Sequence, residues 1–355
     1  MTGSRIAGGE EAQGYAPDLL PRDARASHMG ANEWEDVMTP TAGMREAGHG
    51  IGARGSDRGL ALRKTLRKPQ FWFGVSVLAP TFIWYAIFSY WPILQAFWLA
   101  VTRYQLLQPV ASPFVGTDNF QQLFNNPLFL PAVGNTLLWT VLEVALMLPL
   151  SLLVSVCLAN VIRGRQLYQA VLFVPVVTSL VAVVLLFRML LDPDVGQINT
   201  ILYNLGLPTS TFLTGSSTAL PTAAAIGAWK GLGFYIIVLT AGLLNIPREL
   251  SEAALVDGAN EWQRFWRMTL PLLGHTLALV MILLVIGAVQ EFTLPFVLTG
   301  GGPDNATLLL NMLIYNEAFQ NLHFGIASAA ALLEFALILV VSILQLRFFR
   351  PKWSY

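Results

Sequence analysis

Charge is what this sequence has least of. Of its 355 residues only 12% are Asp, Glu, Lys or Arg, against about 25% in an ordinary soluble domain. Residues 63–355 carry just 15 Lys+Arg and 12 Asp+Glu, about 9% of that length and too few to cover a water-soluble globule with polar surface. A soluble enzyme is thereby excluded. The net charge of zero says little, because charge placement matters more than its total. Cysteine is almost absent. The one residue, Cys157, excludes a disulfide framework or a cysteine-based metal site, and within its apolar run it reads as a small buried side chain. No metal site is expected.

Residues 1–62 lack long apolar runs altogether. They hold eleven glycines and mixed charges with no helical or strand period. Such a segment buries too little apolar surface to offset its ordering entropy and reads as a disordered tail. It has no apolar stretch behind a basic start, so it does not read as a signal peptide. The domain plan is therefore a tail at 1–62 and a membrane domain at 63–355.

From residue 71 onward long apolar runs alternate with polar loops. About 20 apolar residues are needed to cross roughly 30 Å of hydrocarbon, and six segments qualify: about 71–100, 134–160, 167–191, 220–246, 270–297 and 325–349. Backbone satisfaction in lipid requires helix, so the fold class is all-α with six transmembrane helices. Pro80, Pro92, Pro149, Pro175 and Pro295 predict kinks. On one side stand twelve basic residues: Arg63, Lys64, Arg67, Lys68, Arg163, Arg165, Arg248, Arg264, Arg267, Arg347, Arg350 and Lys352. The other side has Arg103 and Arg188. The positive-inside rule then predicts both termini in the cytoplasm.

The longest cytoplasmic loop, 247–271, carries the most information. Pro247 suits a first helical position, and Glu249 and Glu252 suit the first turns. Ala253 and Ala254 give a face of little bulk, Asp257-Gly258 ends the helix, and the chain restarts at Glu261 before Pro271 opens the fifth span. Two readings fit these residues. One is a helix–turn–helix whose small face lets another surface approach; the other is an interfacial helix anchored by Trp262, Phe265 and Trp266.

The spacing Glu252-Ala-Ala, three residues, Gly258, nine residues, Met268-x-Leu270-Pro271 resembles the E-A-A-x3-G-x9-I-x-L-P signature of ABC importer permeases, with Met268 at the usual Ile. Phe114-Val-Gly-Thr-Asp-Asn119-Phe120, Leu298-Thr-Gly-Gly-Gly-Pro303 and Phe324-Gly-Ile-Ala-Ser-Ala329 follow in the order seen in the carbohydrate-uptake subfamily, particularly its maltose- and glycerol-phosphate-type members. The resemblance covers about residues 70–350. It implies the type I importer permease fold, working with a second permease subunit, two ATPase subunits and an extracytoplasmic solute-binding protein in a lipid membrane. The membrane implied is the bacterial cytoplasmic one. Glu252, Ala253, Ala254, Asp257 and Gly258 would form the docking helix for an ATPase, with ATP and magnesium bound there and no cofactor or nucleic acid bound by this chain. Consistent with that, none of the four lysines (Lys64, Lys68, Lys230, Lys352) completes a G-x-x-x-x-G-K-[ST] phosphate loop. Gly300-Gly301-Gly302 reads as a turn.

Ionisable groups within spans are costly and draw attention: Glu143, Lys230, Glu291 and Glu334. Lys230 lies 17 residues before Pro247, roughly 25 Å along a helix, and Glu291 lies at comparable height beyond Pro271. Either both snorkel to the outer headgroups or both face a transport cavity, where they pair or bond to solute hydroxyls. The family resemblance implies a sugar path at Lys230, Gly231 and Phe234, which follow Trp229, and at Gly287, Ala288 and Glu291. The better-known maltose-type relative has asparagines at the last two positions and an apolar residue at 230, so maltose itself does not follow. Phe234 suits stacking on a sugar face or ordinary packing. Glu334 is expected at a contact between subunits, and Glu143 has no evident partner. His275 reads as interfacial, leaving an intramembrane hydrolase without its usual base. The docking loop weighs against a self-sufficient channel or ion-coupled carrier, as does the lack of paired broken helices in an internal repeat. The function expected is uptake of a sugar, oligosaccharide or related polyol, with glycerol-3-phosphate-type uptake as the alternative.

Overall fold

The computed structural model describes residues 69–104, 113–161 and 163–348. The expected tail at 1–62 and the basic residues Arg63, Lys64, Arg67, Lys68, Arg350 and Lys352 lie outside the described residues. Two units are distinguished, Met1–Ser76 and Val77–Tyr355; of the first, only the opening turns of one helix are described.

Apart from one antiparallel bridge between Thr102 and Phe114, the regular elements among the described residues are helical. They are α1 (Pro69–Tyr85), α2 (Trp91–Ala100), α3 (Asp118–Asn125), α4 (Phe129–Ala159), α5 (Arg165–Val177), α6 (Leu180–Leu190), α7 (Gln197–Asn204) and α8 (Ala219–Leu244). After these come α9 (Arg248–Val256), α10 (Glu261–Arg264), α11 (Leu270–Leu272), α12 (Gly274–Val289), α13 (Thr293–Leu298), α14 (Leu310–Tyr315) and α15 (Phe324–Phe348).

Five stretches are long and apolar enough to cross a bilayer: Trp72–Ala100, Phe129–Ala159, Ala219–Leu244, Gly274–Leu298 and Phe324–Phe348. Each lies within a few residues of its expected place. The third expected span does not form one helix. It is divided into α5 and α6, which meet at 85°. Pro175 alone leaves α5 helical to Val177; the bend follows from Thr178 and Ser179, whose ψ values of 152° and 123° are extended. An apolar run therefore hides a near right-angle bend that composition does not reveal.

Two prolines leave a different mark. Wide π-helical turns at Ala86–Tyr90 and Phe265–Thr269 stand just before Pro92 and Pro271. In each, the following residue bonds five back, Trp91 to Ala86 and Leu270 to Phe265. The wider turn moves aside the carbonyl with which a proline ring would collide. Pro247, expected at the first helical position, stands one residue earlier as the N-cap of α9.

Helix α8 is the centre of the bundle, and its glycines explain why. A Cβ at Gly227 or Gly231 would strike Glu143 or Met147 of α4; at Gly233 it would overlap the Leu172 carbonyl of α5; at Gly242 it would strike Thr276 of α12. Gly227 and Gly231 are four apart, the small-residue spacing that lets membrane helices approach closely. The α4–α8 contact is accordingly the most extensive between two helices. Trp139, Ala223, Ala224, Ile226, Ala288, Leu294 and Leu309 form the core beside it.

A second core joins α2, α3, α4, α14 and α15 through Ala100, Leu123, Ala132, Leu313 and Ala329. Here two of the flanking motifs meet. Asn119 is buried and donates to the carbonyls of Ala100 at 2.8 Å and Thr102 at 2.9 Å, ending α2. Gly325 leaves the space its amide occupies. Glu334, expected between subunits, is buried within the chain and accepts from Asn311 Nδ2 at 2.9 Å. Cys157, expected to be buried, is exposed on α4. A lipid-facing stripe and a buried stripe have the same composition, so the sequence does not separate them.

Candidate functional site: two helix breaks and a docking loop

Where α5 stops, its last carbonyls have no intrahelical partner. Lys230 of α8 supplies one. Its Nζ donates to the carbonyl oxygens of Pro175 at 3.0 Å, Val176 at 3.2 Å and Thr178 at 3.1 Å. Three N–H groups meet three acceptors, the full complement of an ammonium. The Thr178 hydroxyl adds a fourth bond, to the Pro175 carbonyl at 2.6 Å. A cation at a helix C-terminus also opposes the negative end of the helix dipole. Gly233, one turn along α8, allows α5 to lie this close.

Glu291 does the converse. It sits between α12 and α13, and its Oε1 accepts from the backbone N–H of Phe292 at 3.1 Å and of Leu294 at 3.0 Å. The carboxylate thus faces the positive end of α13 and satisfies donors that a helix start leaves free. Pro295 falls in that first turn, where a missing N–H costs nothing. Lys230 and Glu291, expected either to snorkel or to face a cavity and pair there or bond solute, are joined by no salt bridge among the described residues. The premise of two unpaired charges fails, because each is met by backbone.

A third group lies between these breaks. The Glu143 carboxyl is buried against Gly227 and Leu294, and its Oε1 has no hydrogen-bond partner among the described residues. One turn away on α4, the indole Nε1 of buried Trp139 is also without one. The remaining residues expected on a solute path divide. Phe234 is exposed, edge-on to Tyr235, and Gly287 faces open space. Trp229 is exposed and packs edge-on to Phe187 of α6. Gly231 serves the contact with Met147, and Ala288 is buried in the core.

The loop after α8 forms the helix–turn–helix anticipated. α9 ends at Val256 and Gly258 takes φ +79°, a conformation glycine adopts without penalty. Asn260 and Gln263 then close a reciprocal capping box that starts α10. Arg264 ties the two pieces together, donating to Ser251 Oγ at 2.9 Å. Ala254 is packed inward, while Glu252, Ala253, Asp257 and Gly258 are exposed. Val256 is 89% exposed and Trp262 70%, an apolar surface left open among the described residues. His275 is exposed at the start of α12. Gly300 and Gly301, with φ of +64° and +93°, form a turn.

Gly227, Gly233 and the acceptor carbonyls of α5 escaped the sequence reading. The glycine spacing was a usable signal; the carbonyls carry none, since every residue has one.

Several apolar spans, broken helices braced by charge and an exposed loop between spans define a multi-pass membrane transport component. The chain belongs to the family of binding-protein-dependent transport system inner membrane components, whose pattern matches residues 147–354. It is 32% identical to the multiple sugar-binding transport system permease protein MsmF of Streptococcus mutans, over 81% of this chain and 98% of that one. It is 30% identical to the sn-glycerol-3-phosphate transport system permease protein UgpA of Agrobacterium fabrum, over 79% and 95%. Its fold matches a chain of a bacterial ABC transporter involved in the import of the acidic polysaccharide alginate, with a TM-score of 0.72 and 27% identity, over 83% of this chain and all of that one.

Proposed function

We propose that this chain is a permease subunit of an ATP-driven importer for a sugar, oligosaccharide or related polyol. It crosses the bacterial cytoplasmic membrane six times, with α5 and α6 as one broken span and both termini in the cytoplasm. It carries no nucleotide. A second permease completes the path, an extracytoplasmic binding protein delivers the solute, and two ATPase subunits bind ATP and magnesium. Glu252, Ala253, Ala254, Asp257 and Gly258 form the surface that docks in an ATPase, and ATP-driven closure rocks the two permeases between outward and inward access. Lys230, Gly231, Phe234, Gly287, Ala288 and Glu291 belong to the walls of the path.

The observation that carries this reading is the docking loop. α9 follows the central helix after three residues, 245–247, turns at Gly258, and leaves Leu255, Val256 and Trp262 exposed. Relatives whose names specify sugar and glycerol-phosphate transport support the solute class. The test is Gly258→Val. A Cβ there meets nothing within 4 Å, so the substitution acts through backbone conformation alone. Holding a β-branched residue at this φ costs roughly 1–3 kcal/mol, so the turn reshapes while the spans insert normally. Solute-stimulated ATP hydrolysis by the assembled transporter should fall sharply. Full stimulation with Gly258→Val would remove the docking assignment.

A further inference from the structure

The relatives divide over solute charge: one is named for sugars, one for a phosphate ester, and the alginate importer for an acidic polysaccharide. The charges along α8, α12 and α13 bear on which of these this chain admits. Lys230 is the one Lys or Arg of these helices. An anionic solute in the path would look first to its ammonium. That ammonium has no donor left to give, since its three N–H groups are engaged by Pro175, Val176 and Thr178. An anion could recruit it only by stripping the C-terminus of α5 of its cap, leaving three carbonyls without their donor.

The opposite charge is less constrained. Glu291 is half-buried, and while its Oε1 holds α13, its Oε2 accepts no hydrogen bond among the described residues. The Glu291 carboxylate repels a phosphate or uronate, and an oxygen that accepts without donating suits a solute hydroxyl.

We propose that Lys230 is a positioning residue that closes the break in the third span, not a solute contact, and that the solute admitted is uncharged and rich in hydroxyls. The proposal rests on the importer reading above and narrows it. As the cap of α5, Lys230 ties α8, and through it the docking loop, to the broken span. It therefore acts on the rate of the transport cycle and leaves solute affinity alone.

The experiment uses the complete transporter in proteoliposomes and reads ATP hydrolysis stimulated by solute-loaded binding protein. The probes are neutral mono-, di- and trisaccharides and polyols on one side, and sn-glycerol-3-phosphate and uronate oligosaccharides on the other. Stimulation by a neutral probe with none by the anions is expected. With Lys230→Met the maximal rate should fall tenfold or more while the half-saturating solute concentration stays within about twofold. Stimulation of the unmodified transporter by an anion overturns the proposal even where Lys230→Met does not accumulate. So does a tenfold rise in half-saturation with the maximal rate intact. A transporter that answers to no solute of either charge instead refutes the importer reading itself.

Discussion

Replacing Glu291 with leucine removes the acceptor that starts α13. Two backbone N–H groups, now held at 3.1 and 3.0 Å, lose a carboxylate partner. Hydrogen bonds to a charged group contribute about 1.5–3 kcal/mol each, and some relaxation of the turn is expected, so the net cost is on the order of 3 kcal/mol. At roughly 2 °C per kcal/mol for a protein of this size, the midpoint of thermal unfolding in detergent should drop by about 6 °C. Glu291→Gln keeps an acceptor oxygen and loses only the charge facing the helix dipole, a cost of about 1 kcal/mol. The two variants thus separate a cap from an ion pair. The same logic extends to a double-mutant cycle with Lys230→Met. The two side chains share no hydrogen-bond partner, so their effects should add within about 0.5 kcal/mol. A glutamine variant as damaged as the leucine variant would refute this account, as would a coupling well above 1 kcal/mol.

Gly233→Ala places a Cβ on the Leu172 carbonyl, and overpacking of this kind costs about 1–3 kcal/mol; the unfolding midpoint should fall, and an unchanged midpoint would mean that α5 and α8 do not touch there. In the loop after α6, Asp192 Oδ1 accepts from the N–H groups of Asp194 and Val195, both at 3.0 Å, and these bonds hold its carboxyl below the ordinary aspartate value of 3.8. The turn therefore keeps this stabilisation above that value and loses it only as pH falls lower. Hydrogen exchange over 190–197, followed across a pH series, should show no opening transition between pH 7 and about 4.5, whereas Asp192→Ala should exchange faster throughout.

The bundle was legible because apolar runs of spanning length leave lipid-crossing helix as the only arrangement of the backbone. The turn at Gly258 was legible because a left-handed residue has a compositional signature. The break at Thr178-Ser179 was not, since these are two ordinary residues in an apolar run, and the ammonium that caps the carbonyls there belongs to Lys230, more than fifty residues on. The same gap explains why Lys230 and Glu291 read as two charges in need of partners: a sequence displays side-chain charges and conceals backbone dipoles. It explains Glu334 as well, whose partner Asn311 stands in a separate helix and is one of many amides in the chain.

The glycines of α8 divide its surface between tasks. At Gly233 any larger residue collides with the Leu172 backbone, and at Gly227, Gly231 and Gly242 a neighbouring side chain would have to shift, so these positions resist variation. Between them Phe234 stands exposed, its one ring contact among the described residues being with its chain neighbour Tyr235, and can change without touching the contacts between helices. A lineage can therefore alter the exposed side of this helix while keeping the same interlocked frame. The side chains that stand clear of its neighbours then become the cheapest in the helix to replace.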